Sequence, residues 1–351
     1  MLRLAVLLSL TATATAAAQQ GAPLSEPDLV AALAAHLDSL AAADRFSGVV
    51  VLAKGDTRLF ERPYGMADRE AGRPNTLGTR FNLGSINKTF TATAIRQLLQ
   101  AGKLALEDRL IRHLPDYPNR DVAVRVTIAQ LLDHSSGIGG NIFTAPPGGS
   151  RGDLRRNTDF IPLFAREPPQ FEPGSRHEYS NAGYVVLGAV IERLSGVSYY
   201  DYVRTNIFEP AGMTATDSYA RDSLPPNTAV GYTRGGPGGA QTGPMRRNTE
   251  TLPGRGSAAG GGYSTAADLH RFTAALRAGH IRAGPPAGLG VAGGAPGINA
   301  LLEAGIRGGY DLVVLANMDP PVAEEIGRQV RRWLGDEDAG GEGGRVIRRP
   351  G

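Results

Sequence analysis

Residues 81–90 of this 351-residue chain have the sequence Phe-Asn-Leu-Gly-Ser-Ile-Asn-Lys-Thr-Phe. The apolar spacing that follows predicts a helix from Ser85 to about Ala101, with Gly102 in the stop position. Residues three apart lie on one face of a helix, so the Lys88 amine can reach the Ser85 hydroxyl. The helix N-terminus adds free N–H groups that favour an alkoxide and a developing oxyanion. The tetrad therefore predicts Ser85 as a nucleophile and Lys88 as its activating base.

A Ser-x-x-Lys tetrad is a weak signal by itself, because a chain of this length contains on the order of one chance match. Here Ser85–Lys88 is the sole match, and only three of the 37 basic residues are lysines, namely Lys54, Lys88 and Lys103. A lysine amine can be tuned to lose its proton, whereas an arginine guanidinium effectively cannot. An N-cap serine followed by a surface lysine is the alternative, and the tetrad alone leaves it open.

A second candidate segment is Tyr179-Ser180-Asn181, which immediately precedes a predicted helix over 183–194. A tyrosine held near a lysine can have its phenol pKa lowered and then act as a general base or proton shuttle. The Asn181 amide can hold Lys88 or a substrate carbonyl by hydrogen bonds. Tyr117-Pro118-Asn119 has the same Tyr-x-Asn pattern, but it lies in a turn without supporting context, and we interpret it as structural.

The rest of the chain predicts strands near both ends and helices between them. Helical spacing of apolar residues occurs at 28–43, 127–132, 183–194, 266–276 and 322–334. Strands are predicted at 46–53, 57–64, 298–304 and 310–317. We therefore expect an α+β fold whose antiparallel sheet is built from both chain ends, from about 46–64 and 290–317. In this predicted fold, helices flank the sheet, and the middle of the chain, about 85–280, forms a largely helical region.

The N-terminal residues predict export. Arg3, an apolar run over 4–10 and small residues up to Ala18 are typical of a secretory signal peptide at 1–18. This segment is too short for a convincing membrane span, and no later stretch approaches the required length. With no cysteine, the chain has neither a disulfide framework nor a lipid-attachment residue. We expect a periplasmic or secreted protein with one domain at 19–334 and a disordered tail at 335–351.

Charge and histidine spacing argue against several other classes of function. The formal net charge is only +3 and charges of both signs are interspersed, so we expect no nucleic-acid partner. The six histidines show no metal-ligand spacing, and we expect neither a metal nor a cofactor. A Gly-x-Ser-x-Gly match at 148–152 lies in a Pro/Gly loop rather than between a strand and a helix, and we reject it. The expected partner is a small-molecule or peptide substrate, while the oligomeric state is not indicated.

Four segments together resemble class C β-lactamases and related esterases and peptidases. They are 81–90, 131–137, 173–188 and 261–269, and they occur in that family's order. The resemblance implies a β-lactamase/transpeptidase-like fold with its site between the sheet and the helical region. It also implies acyl-enzyme chemistry in which Ser85 attacks a carbonyl while Lys88 and Tyr179 share the proton transfers. Asn181 would orient Lys88 or the substrate carbonyl. Backbone N–H groups of Ser85 and of a late strand, with Gly294 as the candidate, would form the oxyanion hole.

The sequence departs from the family at its third motif, a Lys- or His-led triplet on a strand that lines the site. Residues 293–299 match the downstream Gly-x-Pro-Gly part, and an ungapped alignment places Val291 at the Lys or His position. A second alignment matches 288–291 to an earlier strand and leaves the third-motif strand missing. Both alignments lose the polar residue, and such a loss costs about two to three orders of magnitude in rate.

From the sequence we expect an exported serine hydrolase that acts on an amide or ester. A β-lactam, a D-amino-acid peptide and a small ester remain open as substrates. The alternative is a catalytically silent relative that binds peptidoglycan-type ligands or a protein partner. The altered third motif favours this alternative, whereas the presence of Ser85, Lys88 and Tyr179 favours the enzyme.

Overall fold

The computed structural model describes residues 22–235, 243–282 and 289–336. The predicted signal peptide at 1–18 lies outside the described residues, as does the predicted tail from 337 onward. The helices are α1 (Glu26–Ala42), α2 (Asn87–Gln100), α3 (Leu110–His113), α4 (Arg120–Arg125), α5 (Ile128–Leu132), α6 (Asn181–Ser195), α7 (Tyr199–Val203), α8 (Ala266–Arg277) and α9 (Val322–Leu334). The strands are β1 (Gly48–Lys54), β2 (Thr57–Tyr64), β3 (Met66–Asp68), β4 (Arg73–Pro74), β5 (Phe81–Asn82), β6 (Tyr232–Thr233), β7 (Arg246–Arg247), β8 (Tyr263–Ser264), β9 (Leu289–Ala295), β10 (Ile298–Ile306) and β11 (Tyr310–Ala316).

The main sheet combines the two ends of the chain. Its five strands lie in the order β2-β1-β11-β10-β9, and each neighbouring pair is antiparallel. Strand β1 pairs along its whole length with β11, so that Gly48 lies opposite Ala316 and Lys54 opposite Tyr310. The middle of the chain supplies helices α2 to α8 and only short strand pairs. The α+β prediction, with a sheet built from both chain ends, is confirmed.

Both faces of the sheet are covered, which explains why the central strands are almost continuously apolar. Along β11, Leu312 and Val314 face one core cluster together with residues of α1 and α9. The alternating residues Val313 and Leu315 face the other cluster, which includes apolar residues of α2, α6 and α8. This second cluster joins the sheet to the helical region, and the segment around Ser85 lies within that junction.

The helix that follows Ser85 begins differently from the prediction. A single 3-10 turn, Gly84–Ile86, precedes α2, and the Ile86 N–H donates to the Leu83 carbonyl at 3.2 Å. Gly84 has a φ of 49°, a left-handed conformation that glycine adopts without a steric penalty. The tight turn therefore places Ser85 ahead of the α-helix proper, with its backbone N–H outside the helical bonding pattern.

No helix among the described residues is long and apolar enough to cross a lipid bilayer. The longest of them, α1, is an amphipathic helix of 17 residues. Its buried leucines pack in the same core cluster as the face of α9 that bears Ile326 and Val330.

We predict that Leu312→Ala lowers the free energy of unfolding by about 2–5 kcal/mol, because Leu312 is fully buried in the centre of the sheet. The matched control is Leu77→Ala, since the Leu77 side chain is about 41% exposed and its truncation is expected to change stability by less than about 0.5 kcal/mol. Urea denaturation of both variants measures the difference. Equal destabilisation by the two substitutions would contradict this account of the core.

Candidate active site

Ser85 and Lys88 lie in direct contact at the start of α2. The Lys88 side chain is buried, with an exposed fraction of only 2%. Its Nζ lies 3.1 Å from Ser85 Oγ, 2.8 Å from Asn181 Oδ1 and 2.5 Å from the Ala259 carbonyl oxygen. The alternative of an N-cap serine with a surface lysine is therefore wrong, because this lysine points into the protein.

Burial decides the protonation state of Lys88. Removal from water lowers the pKa of the Lys88 amine to about 7, because the uncharged form loses less solvation. None of its three hydrogen-bond partners carries a charge that would restore the ammonium form. A neutral amine has two N–H donors and one lone pair. Donation to Asn181 and Ala259 leaves that lone pair for the Ser85 hydroxyl, which is the arrangement of a general base.

Tyr179 contacts Ser85 from another direction. Its Oη lies 2.6 Å from Ser85 Oγ, and the Lys88 Nζ lies 4.8 Å from the centre of its ring. The side chain is half-exposed, but its hydroxyl end packs into the site, and this burial raises the phenol pKa above its usual value. The hydrogen bond with Ser85 opposes that shift only in part. The sequence-based expectation of a lowered phenol pKa is not met, because burial of the phenol outweighs its hydrogen bond with Ser85.

Local backbone geometry places Tyr179 and Asn181 on the same side of the chain. Ser180 lies between them with φ −127° and ψ 114°, and side chains two residues apart in extended backbone project to one side. Ser180 is also the N-cap of α6, since its Oγ accepts a hydrogen bond from the Gly183 N–H at 2.9 Å. The cap therefore ends the extended segment where Asn181 can reach Lys88.

His134 holds the Tyr179 segment in place. Its ring lies between those of Tyr179 and Tyr184, with centroid separations of 4.8 and 5.0 Å. Burial lowers the pKa of His134 to about 4, so the imidazole is neutral and its Nδ1 accepts a hydrogen bond from the Ser180 N–H. The left-handed backbone of His134, at φ 64°, turns the chain at this point. We interpret His134 as a positioning residue.

The Ala259 carbonyl is a functional group that the sequence analysis missed. Three buried polar side chains hold its loop: Asn87 donates to Ser257 O, Thr91 to Ala258 O, and Asn157 Oδ1 accepts from the Ala258 N–H. Every residue has a backbone carbonyl, so the sequence does not indicate which carbonyl contacts Lys88. The available signal was the glycine run at 260–262, which overlaps the family-like segment 261–269.

The edge strand β9 passes directly beside Ser85. A Cβ atom built on Gly293 would lie 2.1 Å from the Leu83 carbonyl oxygen and 2.8 Å from the Ser85 nitrogen. Only glycine permits this approach. Residues 295 and 298 flank a two-residue turn and exchange hydrogen bonds, so the next pair, Gly294 and Asn299, does not. The Gly294 N–H therefore points away from β10, on the open edge where Ser85 lies.

Val291 is buried, and it packs in the core cluster below the site. It is two residues before Gly293 and shares its face of β9. Of the two alignments considered, the ungapped one agrees with the structure, because β9 is a complete strand that contacts the Gly84–Ile86 turn. The alignment in which this strand is missing is wrong.

The second Tyr-x-Asn tyrosine, Tyr117, packs in the core, in agreement with a structural role.

A cavity of about 490 Å³ opens beside Ser85, a size typical of small-molecule sites. Ser85, Asn181 and Gly294 all line it. Its remaining walls combine apolar side chains with arginines and the 256–261 backbone: Ile142, Phe143, Arg151, Phe160, Tyr219, Arg221, Leu252, Pro253 and Arg255. The site thus places a hydrogen-bonded serine at the edge of an open, largely apolar cavity.

Comparison with known proteins agrees with this geometry. The sequence profile of the family described as Beta-lactamase matches residues 30–327, which is most of the chain. The chain belongs to the β-lactamase family. The resemblance and the β-lactamase-like fold inferred from the motifs are thereby confirmed.

The relatives to which this chain is similar include both penicillin-binding proteins and an esterase. A penicillin-binding protein of Bacillus subtilis (strain 168) is 35% identical over 54% of this chain and 41% of its own length. Esterase EstB of Burkholderia gladioli is 35% identical over 59% of this chain and 56% of its own. The chain thus spans about half the length of the curated relatives it matches. The crystal structure of a penicillin-binding protein from Bacillus halodurans superposes with a TM-score of 0.73, at 30% identity, and covers 84% of this chain and 98% of that one.

We predict that Gly293→Ala lowers kcat/KM by about a hundredfold or more, because an added methyl group would push β9 away from Leu83 and Ser85 and displace the Gly294 N–H. Gly290→Ala is the matched control on the same strand, since no atom lies within 4 Å of an added Cβ there. Ester hydrolysis by the two variants tests the close approach. Similar rates for both variants would show that the distance between β9 and Ser85 does not matter.

Proposed function

We propose that the protein is a serine hydrolase that cleaves an amide or ester through an acyl-enzyme. The observation that carries this proposal is the position of Ser85 Oγ between the Lys88 amine and the Tyr179 hydroxyl, at 3.1 and 2.6 Å. An uncharged amine can take the serine proton, and a protonated phenol can give one. The two groups differ in pKa in the direction that acid–base catalysis requires.

In the acylation step, Ser85 Oγ attacks the substrate carbonyl carbon while its proton passes to the Lys88 amine. The carbonyl oxygen gains negative charge, and the N–H groups of Ser85 and Gly294 would stabilise it as an oxyanion hole. When the tetrahedral intermediate collapses, the amine or alcohol leaves with a proton from the Tyr179 hydroxyl. The Lys88 ammonium then gives its proton to the Tyr179 phenolate, so that both groups regain their starting protonation states.

In the deacylation step, water attacks the ester formed on Ser85. The Lys88 amine takes one proton from the attacking water, and Ser85 Oγ leaves the tetrahedral intermediate with a proton from the Tyr179 hydroxyl. The Lys88 ammonium then reprotonates the Tyr179 phenolate, and the carboxylic acid leaves with Ser85 restored. Asn181 keeps the Lys88 amine in place throughout, through the 2.8 Å hydrogen bond to its Oδ1. The names of the relatives, a penicillin-binding protein and an esterase, support a β-lactam or a small ester as the substrate. A D-amino-acid peptide is the third candidate.

A catalytically silent binding protein is the second candidate, and a specific observation favours it. The residue at the family's Lys or His position is Val291, whose side chain is buried and apolar. We infer that the oxyanion side of the site depends on backbone N–H groups without help from a charged side chain. The expected consequence is a slower enzyme, by about two to three orders of magnitude, rather than an inactive one.

We further propose that the protein is exported to the periplasm or the medium, with residues 1–18 as the signal peptide and 19–334 as the hydrolase domain. The signal-like pattern of the first 18 residues supports this location.

We predict that a fluorescent penicillin or a fluorophosphonate labels the wild-type protein covalently and does not label Ser85→Ala, because Ser85 combines a hydroxyl with an adjacent amine of lowered pKa. Gel fluorescence measures the labelling, and thermal unfolding shows that both proteins are folded. Absence of labelling in a folded wild-type protein, with both probes, would favour the silent binding protein.

The pKa of Lys88 predicts a pH dependence. The base must be uncharged, so kcat/KM for an ester should fall about tenfold per pH unit below about pH 7 and level off above it. Lys88→Arg should lower kcat/KM by at least about a hundredfold at all pH values, because a guanidinium does not give up its proton. Steady-state kinetics between pH 5 and 9 test both statements. A flat profile, or an active arginine variant, would remove Lys88 from the role of base.

A further inference from the structure

Two arginine side chains meet in the cavity that contains Ser85. Arg151 and Arg221 both line it, from separate loops. A Cβ placed on Gly152 would lie 2.8 Å from Nη2 of Arg221, so this guanidinium packs against the residue that follows Arg151. Burial lowers the pKa of the Arg151 guanidinium, and the charge of Arg221 lowers it further. Two positive groups therefore share one region of the cavity wall.

Neither of these guanidinium groups has a carboxylate within 4.0 Å among residues 22–235, 243–282 and 289–336. Asp222 adjoins Arg221 in sequence, but it forms its ion pair with Arg155. Arg155 and Asp222 are each at least half exposed in that pair, outside the cavity lining. The acidic residue nearest in sequence to Arg221 thus pairs with Arg155, although its charge still interacts with Arg221 over a longer distance. Neither cavity arginine forms an ion pair within the described residues.

The two side chains are held by groups that do not neutralise them. Arg221 Nη1 donates to the carbonyl oxygens of Thr249 and Leu252, at 3.2 and 3.1 Å. The Arg151 guanidinium lies 5.7 Å from the centre of the Phe143 ring, and its Nε is buried without a hydrogen-bond partner. Adjacent like charges in a partly dry site repel each other, and a buried donor without a partner is costly. An anion bound between them would relieve both costs.

We propose that Arg151 and Arg221 bind a carboxylate of the substrate, so that the protein selects esters or amides with a negative charge at a distance from the scissile carbonyl. The inference rests on the proposed function, because both arginines line the same cavity as the nucleophile. A guanidinium matches a carboxylate with two parallel hydrogen bonds. The apolar side chains of Ile142 and Phe160 offer contact to the uncharged part of such a substrate.

Two pairs of esters test this selectivity and show which part of the substrate carries the charge. In the first pair, 4-nitrophenyl hydrogen adipate is compared with 4-nitrophenyl methyl adipate, and the charge is on the acyl group. In the second, 3-carboxyphenyl hexanoate is compared with 3-(methoxycarbonyl)phenyl hexanoate, and the charge is on the leaving group. We expect kcat/KM to favour the anionic member of one pair by about tenfold or more. Added salt should reduce this ratio.

Charge-removing variants assign the selectivity to the arginine pair. Arg151→Met is the main variant, because the Arg151 guanidinium donates no hydrogen bond to the described chain, and Arg221→Met is the second. Each should lower the ratio of anionic to neutral kcat/KM about tenfold. Arg193→Met is the matched control, because it removes an exposed positive charge from the last turn of α6, and its ratio should equal that of the wild type. Thermal unfolding checks that each variant is folded.

The outcomes separate this inference from the proposed function. Ser85-dependent turnover with no preference for either anionic ester overturns the inference and leaves the hydrolase proposal intact. An unchanged ratio in both Arg151→Met and Arg221→Met also overturns it. If no ester is turned over, the hydrolase proposal fails, and calorimetric titration of folded Ser85→Ala with the four esters decides the inference. Equal affinities for the anionic and neutral members would then reject it.

Discussion

The burial of a lysine without a charged partner is the constraint around which this site is built. An ammonium group in the position of Lys88 would lose its hydration and gain only neutral acceptors, so the amine loses its proton near pH 7. Its three partners come from its own turn, from the start of α6 and from the loop at Ala259. Those segments are far apart in sequence, and the junction of the sheet and the helical region brings them together. Reactivity at Ser85 thus depends on correct packing of the whole domain.

The second constraint is the close approach of β9 to the Ser85 turn. Because Gly293 has no side chain, β9 can approach the backbone of Leu83 and Ser85 closely. The N–H groups on the free edge of this strand can therefore lie near Ser85. The same strand carries Val291, whose side chain is apolar and buried. The electrostatics of the reacting centre therefore come from oriented backbone dipoles and a neutral amine. Such an arrangement is preorganised, but it carries no fixed positive charge of its own.

Three arginines line the cavity, and of these Arg255 has a carboxylate, that of Asp217, at 4.0 Å, whereas Arg151 and Arg221 form no ion pair within the described residues. Separating positive charge from Lys88 has a physical advantage, because a cation close to Lys88 would lower its pKa further, whereas a distant one can attract an anionic substrate. Reaction and recognition then use different parts of one cavity. Specificity would follow from the loops that carry the arginines, and reactivity from the rigid junction of the sheet and α2.

The sequence by itself predicted the longer helices and strands and the candidate nucleophile, because both are local patterns. The helix predicted at 322–334 is observed as Val322–Leu334, and the three-residue spacing of Ser85 and Lys88 brought hydroxyl and amine together. Only the tertiary structure decided the rest. The Ala259 carbonyl has no sequence signature, and the raised pKa of Tyr179 depends on burial that no motif encodes. The meeting of Arg151 with Arg221 depends on how two loops pack, because electrostatic and desolvation energies are set by distances in space rather than along the chain.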